Sequence, residues 1–323
     1  MFEQILPAPP DPILGLTEDF NADPRPCKVN LGVGVYQDDD GKTPVLEAVK
    51  AAEAALLATE TTKTYLPIAG PVEFGRQVEA LLFPESPPIV LRTAQTPGGT
   101  GALRVAAEFL HQVAGLTTAW ITDPTWPNHQ GIFTSAGFKV KSLPYYDADH
   151  HALAFDRFME ALERVEAGHV VCLHLCCHNP SGADPDERQW ARIAILARDR
   201  GWFPLIDAAY IGFGDGLEVD CTPLRYFVAE GVEFAVAVSF SKNFGLYAER
   251  AGALLLATPQ PTAANAAFSR LKQIVRTLYS NPPAHGGAIV RMILGDALLR
   301  DVWRRELDTM RQRIHAMRHA LAE

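Results

Sequence analysis

The sequence predicts an α/β protein with a mostly parallel central sheet and helices on both faces. Two observations predict it. Short, β-prone apolar runs alternate along the chain with amphipathic helical stretches. Polar residues suited to chemistry, Asn179, Asp207 and Lys242, each fall just past one of those runs, where open α/β sheets bind ligands. The chain has 323 residues, 48% hydrophobic and 21% charged, which is enough for a large core and more than one domain.

The first forty-odd residues stand apart. Pro7 to Pro12 is proline-rich and reads as an extended arm, and Asn30 to Tyr36, with Gly32 and Gly34, is short, apolar and glycine-punctuated. Gly99 to Gly115 reads as a helix with Leu103, Ala106, Ala107 and Leu110 on one face, and Thr118 to Thr122 as a strand. A helix over Phe155 to Ala167 precedes a strand over Val170 to Cys177; a helix over Glu187 to Arg200 precedes a strand over Phe203 to Ile206. Phe234 to Phe240 and Ala253 to Ala257 are two more strands, followed by a helix that begins near Pro261 and ends at Arg276. Leu299, Trp303, Leu307, Met310, Ile314, Met317 and Leu321 recur at three- and four-residue spacing, which predicts a helix from about Asp296 to the last residue. No Gly or Asn stop and no later proline closes it, so the chain is expected to end inside a helix. There is no internal repeat and no low-complexity tract.

A net charge of −9 argues against a nucleic-acid partner. No apolar run is long enough to span a bilayer. Met1 to Pro10 lacks the basic and apolar regions of an export signal. Five cysteines, two of them adjacent (Cys176 and Cys177), form no disulfide framework, so a reducing cytoplasm is expected.

Lys242 follows the apolar run Phe234 to Val238 and lies shortly before Gly245, at the end of a buried strand. Burial favours its neutral amine. A neutral amine can form a Schiff base with an aldehyde, and pyridoxal phosphate is the usual biological one. For Lys242 alone, a lysine on a strand-end loop is the plainer reading. Arg250, eight residues on, could meet a phosphate. Pro97-Gly98-Gly99-Thr100-Gly101 opens the first strong helix, where backbone N–H groups and the helix dipole favour an anion; a plain glycine turn fits equally. A Rossmann fingerprint would need glycine where Arg104 stands. Asp123 leaves dinucleotide binding as a minor option, and a P-loop is excluded because no Gly-Lys-Ser/Thr follows.

Within Phe203 to Tyr210 a buried strand ends in the acid Asp207, which could pair with a protonated pyridine nitrogen or cap the next turn. Tyr210, three residues on, could donate to a ring oxygen. Cys172, His174, Cys176, Cys177 and His178 invite a metal. Residues 172, 174 and 176 share one strand face in a line and do not converge, so buried core cysteines are preferred over zinc. Asn179-Pro180-Ser181-Gly182 forms a turn that aims Asn179 past the strand end. Trp126, in a proline-bracketed loop, could stack on an aromatic ring or anchor the core. Arg276 could be a helix C-terminal charge or a bidentate carboxylate clamp.

Together these segments resemble the aspartate/aromatic aminotransferases, class I of the PLP-dependent fold type I enzymes. The motifs that carry the resemblance are Val29 to Tyr36, Thr61 to Leu66, Thr96 to Arg104, Trp126 to His129, His178 to Gly182, Asp207 to Tyr210, Ser239 to Arg250 and Ser280 to Pro283. They run in the family's order over essentially the whole chain. The resemblance implies pyridoxal 5′-phosphate as cofactor and reversible amino transfer from L-aspartate, or an aromatic amino acid, to 2-oxoglutarate by ping-pong chemistry. Lys242 would be the Schiff-base lysine and proton shuttle, Asp207 the partner of the pyridine nitrogen, and Tyr210 and Asn179 the partners of the phenolic oxygen. Trp126 would stack on the ring, and Gly99, Thr100, Ser239 and Arg250 would hold the phosphate. His129 and His178 would lie behind Asp207. Tyr65 and Arg276 would cross a homodimer interface, Tyr65 to the partner's phosphate and Arg276 to the distal carboxylate of the substrate. Gly34 would sit in a segment that closes over substrate.

The implied domains are an N-terminal arm at 1–14, a small-domain segment at 15–43, a large PLP-binding domain at 44–309 and the start of the small domain at 310–323. Family members continue further and carry an arginine for the substrate α-carboxylate; no residue here matches it. A truncated chain that binds PLP poorly or unproductively is therefore expected. Ile211 stands where relatives commonly carry a polar residue. The competing readings are another PLP reaction such as elimination or decarboxylation, a non-catalytic chain, and a nucleotide-dependent oxidoreductase. Arg276 weighs against the first, and the missing third glycine against the last.

Overall fold

A computed structural model describes residues 2–7, 14–30, 32 and 34–322. The expected arm beyond Pro7, and Leu31 and Val33 of the glycine-punctuated segment, lie outside the described residues. The chain divides into two compact units, 1–44 and 45–323. In the first, helix α1 (Leu14–Ala22) is closed by Lys28, whose Nζ donates to the Phe20 and Asp23 carbonyls at 2.6 and 2.7 Å. Gly32 N–H donates to Asn30 Oδ1 at 2.9 Å, and Gly34 is exposed.

The second unit runs α2 (Glu47–Thr59), α3 (Val72–Leu82), β1 (Val90–Pro97), α4 (Gly98–Gln112), β2 (Thr118–Asp123), α5 (Asn128–Ser135) and β3 (Lys139–Pro144). A small hairpin of β4 (Tyr146–Asp147) and β5 (Ala152–Leu153) leads to α6 (Phe155–Leu162), β6 (Val170–His174), α7 (Glu187–Arg200) and β7 (Phe203–Ala208). Then come α8 (Leu217–Asp220), α9 (Thr222–Ala229), β8 (Phe234–Ser239), β9 (Ala251–Thr258), α10 (Pro261–Leu278), α11 (Ala284–Gly295) and α12 (Ala297–Ala322).

The sheet order is β1-β9-β8-β7-β6-β2-β3, and every pairing is parallel except the two made by β9. The exception has a simple cause. Each parallel neighbour is reached through a crossover, but no helix separates β8 from β9, so the chain returns antiparallel. One sheet face, with Ala94, Cys172, Leu205, Ala237 and Leu254, packs on Leu103, Ala106 and Leu110 of α4 and on Leu271 and Val275 of α10. The other face meets α7 and α9, where Trp190, Phe227 and Phe234 pack in series, the first pair edge-on and the second tilted, with ring centroids 6.3 and 5.8 Å apart. An Asp186–Gln189 capping box starts α7 and Gly201, left-handed at φ +71°, ends it.

Three elements end earlier than their patterns suggest. Helix α6 stops at Leu162, where Val165 N–H turns back onto the Leu162 carbonyl. Strand β6 stops at His174, because Cys177 takes a left-handed backbone (φ 51°) and Asp184 captures the Cys177 and His178 N–H groups at 2.6 and 2.8 Å. Helix α4 stops at Gln112, closed by Leu116 N–H on the Leu110 carbonyl with Gly115 left-handed. The last helix runs unbroken across position 310. Trp303, Leu307 and Met310 of its apolar stripe are buried, whereas Met317 and Leu321 are exposed.

Candidate active site

Register places the chemistry. Asp207, near the carboxyl end of β7, lies opposite His174 on β6 and Ala237 on β8. The loops that leave these ends, together with the start of α4, enclose an open cavity of about 230 Å³. Gly99, Thr100, Trp126, Asn179, Asp207, Tyr210, Ser239, Lys242 and Arg250 all line it. Nine positions read from separate stretches of the sequence thus converge on one site.

At one side of the cavity the first turn of α4 carries no side-chain cap, so its N–H groups remain available to an anion. Arg250 lies against it. A Cβ on Gly98 would sit 2.6 Å from an Arg250 guanidinium nitrogen, and Gly98 is itself left-handed at φ +70°. A Cβ on Gly99 would sit 2.9 Å from Ser239 Cβ. Glycine at these positions lets backbone, serine and guanidinium crowd around one small volume. Arg250 Nη1 donates to Ser241 Oγ at 3.2 Å and to the Tyr247 carbonyl at 3.0 Å, which fixes the guanidinium. The donor set suits a phosphate.

On the other side Asp207 is buried and accepts from His129 Nε2 at 3.0 Å. Burial opposes charge on His129, but the Cys172 sulfur and the Asp207 carboxylate favour it, and the balance raises its pKa to about 10. The Thr125 hydroxyl links His129 Nδ1 (2.8 Å) to His174 Nε2 (3.1 Å), and His174 Nδ1 accepts from Asn179 N–H at 3.2 Å. Burial, with the charge on His129, holds His174 well below its ordinary pKa. A neutral His174 that accepts at Nδ1 carries its proton on Nε2 and donates to Thr125. Asn179 is therefore tied through its own backbone to the residues behind Asp207. The His178 ring lies further off: it bonds Thr122 and Ser181 and stacks on Tyr145, with centroids 3.9 Å apart.

Lys242 projects between the two sides. Its Nζ lies 4.9 Å from the centroid of the Tyr210 ring. Burial lowers its pKa, Asp207 works against that, and Arg250 adds to it. Burial and the nearby Asp207 carboxylate push the Tyr210 phenol up to about 12, while its hydrogen bond with Asn179 pulls the other way. The Trp126 ring meets His129 edge-on at 5.4 Å.

Tyr65 and Arg276 do not line this cavity. Tyr65 is 88% exposed, and Arg276 is exposed at the end of α10 and bonded to Ser280. Gly34 belongs to the other unit. The cavity also includes His174, Leu103, Ala209, Ser241 and Tyr247, to which sequence reasoning gave no role there. Ser241 and Tyr247 stand inside the Ser239 to Arg250 segment, so proximity in sequence was a usable signal. His174 drew notice only as a possible metal ligand. Among the described residues no group of three or more His, Cys, Asp or Glu side chains is arranged to hold a metal.

A family model described as aminotransferase class I and II matches residues 26–323. The chain is 52% identical to an aspartate aminotransferase of Escherichia coli over 98% of its own length and 81% of that protein's. It is 44% identical to an aromatic-amino-acid aminotransferase of Pseudomonas aeruginosa, covering 100% of this chain and 82% of that one. Its structure superposes with a TM-score of 0.97 on a crystal structure of the aromatic-amino-acid aminotransferase of Burkholderia pseudomallei covalently bound to pyridoxal phosphate. That pair is 46% identical, with 99% of this chain and 82% of the other covered.

Proposed function

This chain belongs to the class I and II aminotransferases, and from that premise we propose, against the unproductive cofactor binding expected of a chain without the α-carboxylate arginine, that it moves the amino group of L-aspartate, or of an aromatic amino acid, to 2-oxoglutarate with pyridoxal 5′-phosphate held at Lys242. One observation carries the proposal. A half-buried amine of lowered pKa shares a single cavity with a buried carboxylate and an uncapped, arginine-flanked helix start. Those three groups would grip an aldehyde-bearing aromatic phosphate at both ends and join it in the middle.

The residues present fit that cofactor. Gly99, Thr100, Ser239 and Arg250 would hold its phosphate, Trp126 would cover the ring face, and Tyr210 and Asn179 would bond its oxygen. Bound there, the cofactor supplies a conjugated sink for the electrons left when a substrate Cα loses its proton. The protein's own groups do the rest. Asp207, backed by His129, would pair with a positive charge on the bound ring. Lys242 Nζ, whose pKa burial lowers, would take up the Cα proton and release it again. The cavity walls orient the substrate and limit water. Tyr65 and Arg276 would act on the cavity of a second copy in a homodimer, with Arg276 pairing with the distal carboxylate of a dicarboxylic substrate. The reading includes a cytoplasmic setting. Separately, among the described residues no helix is long and apolar enough to cross a membrane.

Assay of amino transfer from aspartate to 2-oxoglutarate, with borohydride trapping of the cofactor and peptide mapping, tests this. The adduct is expected on Lys242, and Lys242→Ala is expected to abolish both adduct and turnover. An adduct mapped to another lysine, or an alanine variant of undiminished activity, defeats the proposal.

A further inference from the structure

Asn243 follows Lys242 directly, is completely buried and does not line the cavity. Its side-chain Nδ2 donates to the Ile211 carbonyl at 3.2 Å, one residue past Tyr210. Its own carbonyl accepts from the indole N–H of Trp303 on α12 at 2.7 Å. The Trp303 ring is fully buried and stacks on Phe244, with centroids 4.4 Å apart and 19° between planes. The Lys242 carbonyl closes a turn by accepting from Gly245 N–H at 3.0 Å. The lysine turn is thus gripped from behind by two segments distant in sequence, the loop after β7 and the last helix. Among the described residues Asn243 Oδ1 has no hydrogen-bond partner. An unpaired buried acceptor is unfavourable, so this amide is a poor choice for packing alone.

We infer that Asn243 and Trp303 are positioning residues: they hold the backbone of the lysine turn so that the Lys242 amine stays inside the cavity, in register with Tyr210. The inference rests on the role given above to Lys242. Without the Trp303 N–H the Asn243 carbonyl loses its partner, the turn relaxes, and the amine gains solvent. The groups facing the amine across the cavity are Asp207, Tyr210, His174, Tyr247 and Arg250; none is altered by the changes below.

The test uses the full chain freed of cofactor. Reductive methylation of Lys242 is followed by peptide mass, as the ratio of labelling near neutral pH to labelling in strong alkali. The alkaline measurement removes differences in access, so the ratio reports how strongly the site suppresses protonation. Trp303→Phe keeps the stacked ring and deletes the donor. The ratio is expected to fall roughly fivefold, equivalent to about 1 kcal/mol, and to fall similarly in Asn243→Ala. Met310→Ala, buried two turns further along the same helix, is expected to leave it unchanged. If Trp303→Phe does not fold, Asn243→Ser decides. An unchanged ratio in the folded variants, or an equal change in Met310→Ala, overturns the inference. If Lys242 in the unaltered chain labels no more readily near neutral pH than exposed lysines do, the proposed function fails instead.

Discussion

Acid should destabilise this protein through His178. The ring is fully buried between Thr122 Oγ1 (2.9 Å) and Ser181 Oγ (2.7 Å) and lies flat on Tyr145. Burial, and secondarily the charge on His129, depress its pKa from 6.5 to about 4. Between these values the unfolded chain binds a proton at His178 and the folded chain does not. Stability contributed by the neutral ring is therefore complete above pH 6.5, is lost as pH falls toward 4, and changes no further below that. At about 1.4 kcal/mol per unit the loss is about 3 kcal/mol. His174 is displaced in the same direction and adds to it. Burial raises the pKa of Asp184 and Asp220, which contributes in the opposite sense. The informative quantity is therefore the difference between the unaltered protein and His178→Gln, which keeps a polar side chain and does not titrate. Urea unfolding measured stepwise across this pH range supplies both curves. The variant should be less stable at neutral pH by about 1–2 kcal/mol, the scale of a lost hydrogen bond and ring contact. The gap should close and then reverse as pH falls through the window. Parallel curves between pH 6.5 and 4 would refute the account of a neutral, desolvated imidazole.

Three further outcomes follow from the same geometry. Asp207→Asn removes the carboxylate beside His129; it should cost about 3–5 kcal/mol near neutral pH and flatten the decline in stability otherwise expected as pH rises from 6.5 through about 10, the window set by the raised His129 pKa. Amino transfer by the same variant should drop roughly a hundredfold or more, as when a preorganised charge is lost; turnover within a few-fold of the unaltered protein would contradict the assigned role. Gly99→Ala places a methyl 2.9 Å from Ser239 Cβ and should cost about 1–3 kcal/mol while weakening phosphate-dependent cofactor binding, measured by equilibrium dialysis against pyridoxal phosphate. Phe227→Ala empties the contact between α9, Trp190 and Phe234 and should lower stability by about 3–5 kcal/mol in urea unfolding, with the site's affinity for cofactor little changed.

Several features of this protein are legible in its residues alone because they depend on short-range rules. Alternating apolar runs and helical periodicity specify α4, β2, α6, β6, α7, β7, β8, β9 and α10, whereas α5, β3, α8 and α9, whose patterns are short or mixed, became visible only in the fold. Asn179 and Lys242 stand past strand ends as their surroundings predict, Asp207 lies one residue before the end of β7 because that strand runs two residues further than Ile206, and the chemistry each can perform follows from its side chain. Other features required the folded chain. Nothing local says that β9 runs against its neighbours, since direction depends on what joins two strands and where the return lands. Phe155 to Ala167 carries helical periodicity beyond the point where a turn at Leu162 ends the helix. The charge on His129 and the hold of Trp303 on Asn243 arise from contacts 78 and 60 residues apart in the chain, and the tautomer of His174 from a turn that brings the Asn179 N–H back onto its ring. Sequence patterns report which surfaces each segment must bury; only the closed packing of those surfaces decides which distant atoms lie within 3 Å of one another, and so which protons and charges the site can keep.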